Sequence, residues 1–152
     1  MPLASSTTIN ILLADDDKDD RFFFAKALKE ISLPTNLITV SDGARLIEYL
    51  SENLKNLPDV VFLDLNMPCK NGIECISEMK NNKDLKQIPV VIYSTSVRQE
   101  VADVLYGKEA HYYFQNCNFN ELGQYIEQVL VMLKQNPLQP QRHSFIVNEK
   151  EF

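Results

Sequence analysis

Acidic residues follow two apolar segments of the chain, and they are the clearest candidates in the sequence for binding a metal ion or reacting chemically. Three acids, Asp15 to Asp17, come directly after the segment 9–14, and Asp64 comes directly after the segment 60–63. Carboxylates held close together raise one another's pKa unless a cation neutralises them. A hard divalent ion with oxygen ligands is the natural partner, and Mg²⁺ typically takes one or two carboxylates together with substrate phosphates.

A blander interpretation applies to some of these acids. For Asp15, Asp17, Asp19 or Asp20 taken alone, a solvated loop residue is the simpler account. Asp64 differs, because four apolar residues precede it without a polar break. Hydroxyl and amide side chains follow two later apolar segments, with Ser94 after one and Gln115 after the other.

Apolar segments of strand length alternate with segments of helix length over most of the chain. Strands are predicted at 9–14, 37–40, 60–64, 90–93 and 112–114, each followed by a helix. This alternation predicts an α/β fold, with a five-stranded parallel sheet, right-handed crossovers and helices on both faces. Ligands of such sheets bind at the carboxyl ends of the strands, which is where the acids, the hydroxyl and the amide stand.

Composition excludes several classes of protein. The chain has 152 residues and a formal net charge of −6, with no cluster of Lys and Arg, which argues against nucleic-acid binding. Three cysteines without a CxxC pair, and a start unlike a secretory signal, indicate free thiols in the cytoplasm. No apolar stretch approaches the roughly 20 residues of a membrane helix.

Three motifs, in order and at matching spacing, resemble those of response-regulator receiver domains of two-component signalling. They are ILLADD at 11–16, VFLDLNMP at 61–68 with Asn71-Gly72 after it, and IPVVIYST at 88–95. The resemblance covers residues 9–133 and implies a flavodoxin-like sheet of strand order 2-1-3-4-5. It implies a stand-alone receiver rather than an enzyme, with at most self-phosphorylation and self-dephosphorylation.

The resemblance implies a role for each acid at the predicted site. Asp64 looks like the phosphoacceptor, whose carboxylate would form an acyl phosphate. Asp16 looks like a direct Mg²⁺ ligand, and Asp15 would act through a bound water. Asp64 itself and the backbone carbonyl of Asn66 would complete the ligands from the protein.

The resemblance also implies the residues that would respond to phosphorylation. Ser94 looks like the switch hydroxyl that donates a hydrogen bond to the new phosphoryl group. Tyr112 looks like the aromatic switch, although packing of a strand aromatic accounts for it equally well. Gln115 stands where receivers carry a lysine, and its amide can donate a hydrogen bond but carries no charge.

Three functions remain open at this point. The first is a phosphorylatable regulator that receives its phosphoryl group from a sensor histidine kinase or a phosphotransfer protein and signals to an unknown target protein. The second is an atypical receiver that acts as a phosphorylation-independent interaction module, which Gln115 favours. The third is an enzyme or cofactor binder on the same fold. A flavin binder would need a phosphate loop after the first strand, and an aspartyl-phosphate phosphatase would need an acid at Asn66.

The last residues of the chain differ in character from the rest. Two prolines and three glutamines within 134–142 predict a linker, so that 134–152 forms a linker and tail. Within the tail, the segment 145–147 is apolar and predicts either a docked strand or a frayed end. Added to a sheet edge of a partner chain, it would support a homodimer.

Overall fold

A computed structural model of the protein describes residues 7–68, 70–116 and 119–147. Cys69 and Cys117, which we predicted to be free thiols, lie outside the described residues. The third cysteine, Cys75, is free and buried. Burial raises the pKa of its thiol to about 12, which fits an inert packing residue.

Strands and helices alternate along the chain as the sequence predicts. The elements are β1 (Ile9–Ala14), α1 (Lys18–Leu28), β2 (Thr35–Val40), α2 (Gly43–Glu52), β3 (Val60–Asp64), α3 (Gly72–Lys80), β4 (Val90–Ser94), α4 (Gln99–Gly107), β5 (Tyr112–Gln115), α5 (Phe119–Gln135) and a 3₁₀ turn at Arg142–Ser144. Within the described residues, no helix is long and apolar enough to cross a membrane.

The five strands form one parallel sheet in the order β2-β1-β3-β4-β5. This confirms the predicted α/β class and strand order. β1, β3 and β4 are buried along almost their whole length, as expected of central parallel strands covered on both faces. The order places β1 and β3 side by side, so the acids that follow them meet at one edge of the sheet.

The core has two parts, one on each face of the sheet. One part packs α2, α3 and α4 against the sheet, and includes Leu46, Ile76 and Leu105. The other packs α1 and α5, and includes Phe24 and Ile126. Both parts consist mainly of apolar side chains with little or no exposed surface.

Side chains at the beginnings of two helices fix the loops beside the acids. The Asp17 carboxylate caps α1 by accepting hydrogen bonds from the amides of Asp19 and Asp20 at 2.8 and 3.1 Å. Asn71 begins α3 in a capping box with Glu74, where each side chain accepts from the other residue's amide at 2.9 and 3.0 Å.

Residues 136–147, hereafter the C-terminal segment, pack against the sheet after α5 ends. Phe145 is fully buried, and Ile146 pairs with Tyr113 of β5 in a parallel bridge. The sequence left open whether residues 145–147 dock on the sheet or form a frayed end. In the structure they are docked, through a single bridge to β5. The last part of the predicted tail, 148–152, lies outside the described residues.

Candidate functional site

Three carboxylates meet at the carboxyl edge of the sheet. Asp15 and Asp16 directly follow β1, and Asp64 is the last residue of β3. One carboxylate oxygen from each lies within 4.8 Å of the other two, a separation that allows a single cation to bind all three. Asp15 is fully buried, Asp64 is half-buried and Asp16 is exposed. The site is therefore open to solvent on the Asp16 side.

Burial and mutual repulsion make this cluster bind protons or cations strongly. Burial, together with the charges of Asp15 and Asp16, raises the pKa of Asp64 to about 7, although a hydrogen bond from the Asn66 amide opposes the shift. Burial likewise raises the pKa of Asp15 above its ordinary value of 3.8. On α1, burial and the neighbouring acids raise the pKa of Asp20 to about 6. A divalent cation would relieve the repulsion.

Tyr93, which sequence analysis did not single out, contacts the cluster directly. Its hydroxyl donates a hydrogen bond to Asp15 Oδ2, while the Asp17 amide donates to Asp15 Oδ1 at 2.9 Å. Burial and the Asp15 charge hold the pKa of Tyr93 well above 10.0, so the phenol keeps its proton and acts as the donor. Both oxygens of Asp15 thus accept a hydrogen bond from the protein. Tyr93 pairs in register with Asp64 across β3 and β4. Aligning the two predicted strands would therefore have placed Tyr93 beside the acids.

Replacing Tyr93 by phenylalanine is expected to weaken the binding of a divalent cation to the three carboxylates by about 10-fold, the lower end of the usual effect of losing a residue that holds a metal ligand. The ring would still fill its place in the core, but Asp15 would lose the donor that favours its ionised form. Calorimetric titration with Mg²⁺ measures the change. Tyr49→Phe, which removes a hydroxyl on α2, is the control, and equal affinities in the two variants would contradict the role of Tyr93.

The loop after β3 is folded tightly around Asp64. The Asn66 amide donates to Asp64 Oδ1 at 3.1 Å, and the Gly72 amide donates to the Leu65 carbonyl at 2.9 Å. A side chain at Gly72 would place its Cβ 2.9 Å from Leu65 Cα and 3.0 Å from the Asp64 carbonyl oxygen. Glycine is therefore required for this close approach. Nearby, Lys70 pairs with Glu78 rather than with the cluster.

Ser94, the predicted switch hydroxyl, ends β4 and is buried. Its Oγ donates to the Ser96 carbonyl and lies 3.1 Å from Tyr113 Oη. Tyr113 Oη also donates to the Ser96 carbonyl at 3.2 Å. The predicted aromatic, Tyr112, instead packs in the α1 and α5 part of the core. Neighbouring strand residues face opposite sides of the sheet, so only one of the two tyrosines can reach Ser94.

Gln115 ends β5, pairs in register with Ser94, and is exposed. Its Nε2 donates to the Thr95 carbonyl at 3.0 Å, which ties the end of β5 to the loop after β4. Among the ion pairs of the described residues, none involves Asp64. The charge that a lysine would bring to this position is absent from the Gln115 side chain.

Comparisons with known proteins agree with this geometry. A family model described as the response regulator receiver domain matches residues 11–127. Response regulator Rcp1 of Synechocystis sp. is 34% identical over 124 residues, which cover 77% of this chain and 83% of Rcp1.

Two solved structures are similar over nearly the whole fold. The phosphorylated cyanobacterial phytochrome response regulator RcpA has a TM-score of 0.73 and 31% identity, with 86% of this chain and 96% of RcpA covered. The Mn²⁺-bound form of Rcp1 has a TM-score of 0.73 and 29% identity, with 87% of this chain and 99% of that structure covered. The chain belongs to the response regulator receiver domains of two-component signalling.

Proposed function

We propose that this receiver accepts a phosphoryl group on Asp64 in a Mg²⁺-dependent reaction and signals through protein–protein contacts. The observation that carries the proposal is the convergence of Asp15, Asp16 and Asp64, with oxygens within 4.8 Å of one another. Asp64 is the half-buried member, at the end of a buried strand, and so combines a fixed position with access for a phosphodonor.

The donor set fits a hard divalent cation. Asp16 is exposed and would bind the ion directly, together with Asp64 and the backbone carbonyl of Asn66. Asp15 has a hydrogen-bond donor on each oxygen and would act through a water molecule. Mg²⁺ in this place would neutralise charge on the phosphoryl oxygens. A manganese form of the similar Rcp1 supports a divalent ion of this kind.

The residues of the chain divide the chemistry between them. A carboxylate oxygen of Asp64 attacks the phosphorus of a phosphohistidine; the new O–P bond forms as the P–N bond breaks, and the imidazole leaves with the electron pair. The pKa of about 7 means that Asp64 must lose a proton or meet a cation before it attacks at neutral pH. Ser94 then donates its hydroxyl to a phosphoryl oxygen. Gln115 can donate its amide there. The sequence predicts Tyr112 as the aromatic switch, whereas Tyr113 is the tyrosine whose hydroxyl lies beside Ser94.

Phosphorylation of the purified protein by a small-molecule phosphodonor tests the proposal. Intact mass is expected to show one phosphoryl adduct with Mg²⁺ and none after its removal with a chelator. Asp64→Asn keeps the size of the side chain but removes the nucleophile, so it is expected to give no adduct. Asp84→Asn, in the exposed connection before β4, is the control and is expected to be phosphorylated like the wild type.

A second candidate function is a phosphorylation-independent interaction module. Gln115 favours it, because the amide held by the Thr95 carbonyl brings no charge to a phosphoryl group. The same experiment separates the two. Mg²⁺ binding without any adduct would support the interaction module and contradict the phosphoacceptor.

The partners that we propose are a sensor histidine kinase or phosphotransfer protein and an unknown target, in the cytoplasm. Phe22 and Phe23 of α1 are 61% and 44% exposed within one turn of Asp20, and offer an apolar contact beside the site. The homodimer predicted from the segment 145–147 would require that segment to leave its own β5. Light scattering over a range of concentrations tests this homodimer.

A further inference from the structure

Arg21 lies near the beginning of α1 and reaches back to the loop that carries the acids. Its Nη1 donates a hydrogen bond to the backbone carbonyl of Asp15 at 2.7 Å. The guanidinium is charged, and hydrogen bonds from charged donors are shorter and stronger than those between neutral groups. The carbonyl belongs to the peptide that joins Asp15 to Asp16. Arg21 therefore holds the link between two of the three carboxylates.

Asp15 is held at each of its polar groups by the protein itself. Its amide donates to the Val40 carbonyl of β2 at 3.2 Å. Its carboxylate accepts from the Asp17 amide and from the Tyr93 hydroxyl. The Arg21 guanidinium donates to the remaining group, the carbonyl. Buried polar groups need such partners, and Asp15 has a position that does not depend on a cation.

Asp16 depends on this arrangement because it is the next residue along the chain. A peptide is planar, so the direction of the Asp15 carbonyl sets the ψ angle of Asp15 and the path of the chain into Asp16. Asp15 is buried and Asp64 half-buried, whereas Asp16 is exposed. Packing does little to fix the Asp16 carboxylate, so the backbone that Arg21 holds is what directs it towards Asp64.

The charge of Arg21 is directed at the backbone. None of the ion pairs among the described residues involves Arg21. Arg45 lines the same cleft at the end of β2, but its side chain is 68% exposed. It pairs at 3.6 Å with Asp42, the cap of its own helix. Arg45 thus offers the same charge in the same cleft without the contact to Asp15.

We infer that Arg21 positions Asp16 for cation binding by fixing the peptide between Asp15 and Asp16. The inference rests on the proposed cation-dependent function, and adds to it a basic residue that helps to build a site for a positive ion. Arg21 acts through the backbone of Asp15, so it is a positioning residue. Charge and position predict opposite effects of removing Arg21. As a charge alone it would repel a cation, and its loss would tighten binding. As a positioning residue, its loss would weaken binding.

Calorimetric titration of the full chain with Mg²⁺ tests the inference. Methionine in Arg21→Met replaces much of the arginine stem but has neither the donor nor the charge. This variant is expected to bind Mg²⁺ about 10-fold more weakly than the wild type, the lower end of the usual effect of losing a residue that holds a metal ligand. Arg45→Met is the control, because it removes an equal charge from the same cleft. It is expected to bind Mg²⁺ as tightly as the wild type or more tightly.

A conservative variant and a stability measurement complete the test. Arg21→Lys keeps the charge and one donor, so it is expected to bind Mg²⁺ more tightly than Arg21→Met. Urea unfolding gives the folded fraction of each variant. A loss of affinity that disappears on correction for this fraction would show a structural effect alone and would overturn the positioning role.

The remaining outcomes separate the inference from the function on which it rests. A wild type that binds no Mg²⁺ would overturn the proposed function and the inference together. If the wild type binds Mg²⁺ and Arg21→Met binds it equally or more tightly, the positioning role alone is wrong. An equal loss of affinity in Arg21→Met and Arg45→Met, or no recovery in Arg21→Lys, would also count against it.

Discussion

Replacing Phe145 by alanine is expected to lower the free energy of unfolding by about 3–5 kcal/mol, the usual cost of removing a buried aromatic ring. Phe145 is fully buried against Tyr106 and Tyr113, and Arg142 lies over its ring at 5.9 Å. It lies outside residues 11–127, which the family model matches. A large loss would show that the C-terminal segment is part of the folded domain. Urea unfolding followed by circular dichroism measures it.

The same segment supplies the control for this experiment. Leu138 is 71% exposed, so Leu138→Ala is expected to change stability by less than about 0.5 kcal/mol. Equal, small effects of the two variants would mean that the segment is not docked in solution. Equal, large effects would mean that Leu138 is buried there as well.

In the absence of divalent ions, Asp64→Asn is expected to be more stable than the wild type above pH 7, with a gain that disappears as the pH falls towards 4. The pKa of Asp64 is about 7 in the folded protein and ordinarily 3.8, so the folded state binds this proton more strongly. The stabilisation from the bound proton is complete below pH 3.8 and is lost as the pH rises through about 7. Asparagine has no proton to lose.

Mg²⁺ is expected to reduce the stability difference between the two proteins above pH 7. An ion that binds only the folded state adds about 2.7 kcal/mol at a concentration 100 times its dissociation constant. The wild type should gain this amount and Asp64→Asn much less, because the variant lacks one of the three carboxylates. Urea unfolding between pH 4 and 8, with and without Mg²⁺, checks both effects, with Asp84→Asn as the control. A difference between Asp64→Asn and wild type that is constant with pH would contradict the raised pKa.

Much of the fold and the acidic cluster could be predicted because local pattern and topology agree. The buried strands β3 and β4 are continuous apolar runs, and parallel strands bring their carboxyl ends to one edge. Asp15 and Asp64 therefore had to be neighbours once the strand order was known. The cap at Asp17 followed from its residue type and position.

The contacts of the two tyrosines could not be predicted from local pattern. Tyr112 and Tyr113 are adjacent and identical, and which of them reaches Ser94 depends on the face that each presents to the helices. Tyr93 lies in a strand where every residue is buried, so alternation gives no sign that its hydroxyl contacts Asp15. Both contacts come from tertiary packing.

The C-terminal segment was harder to predict for a different reason. Prolines and glutamines between 136 and 141 are typical of a linker, because they favour neither helix nor strand. Gln139 is nevertheless ordered by two backbone carbonyls that face it from α4 and the connection beyond it. Composition cannot report such acceptors, since they belong to residues roughly 30 positions away in the chain.

The docked segment also has a consequence for how the molecule behaves in concentrated solution. A strand at the edge of a sheet presents unpaired amide and carbonyl groups, on which strands of other chains can form and aggregates can grow. At Tyr113 the segment occupies both of these groups, so the chain shields this edge with its own residues. Displacement of the segment would expose the Tyr113 amide and carbonyl to strands of other chains and so favour aggregation.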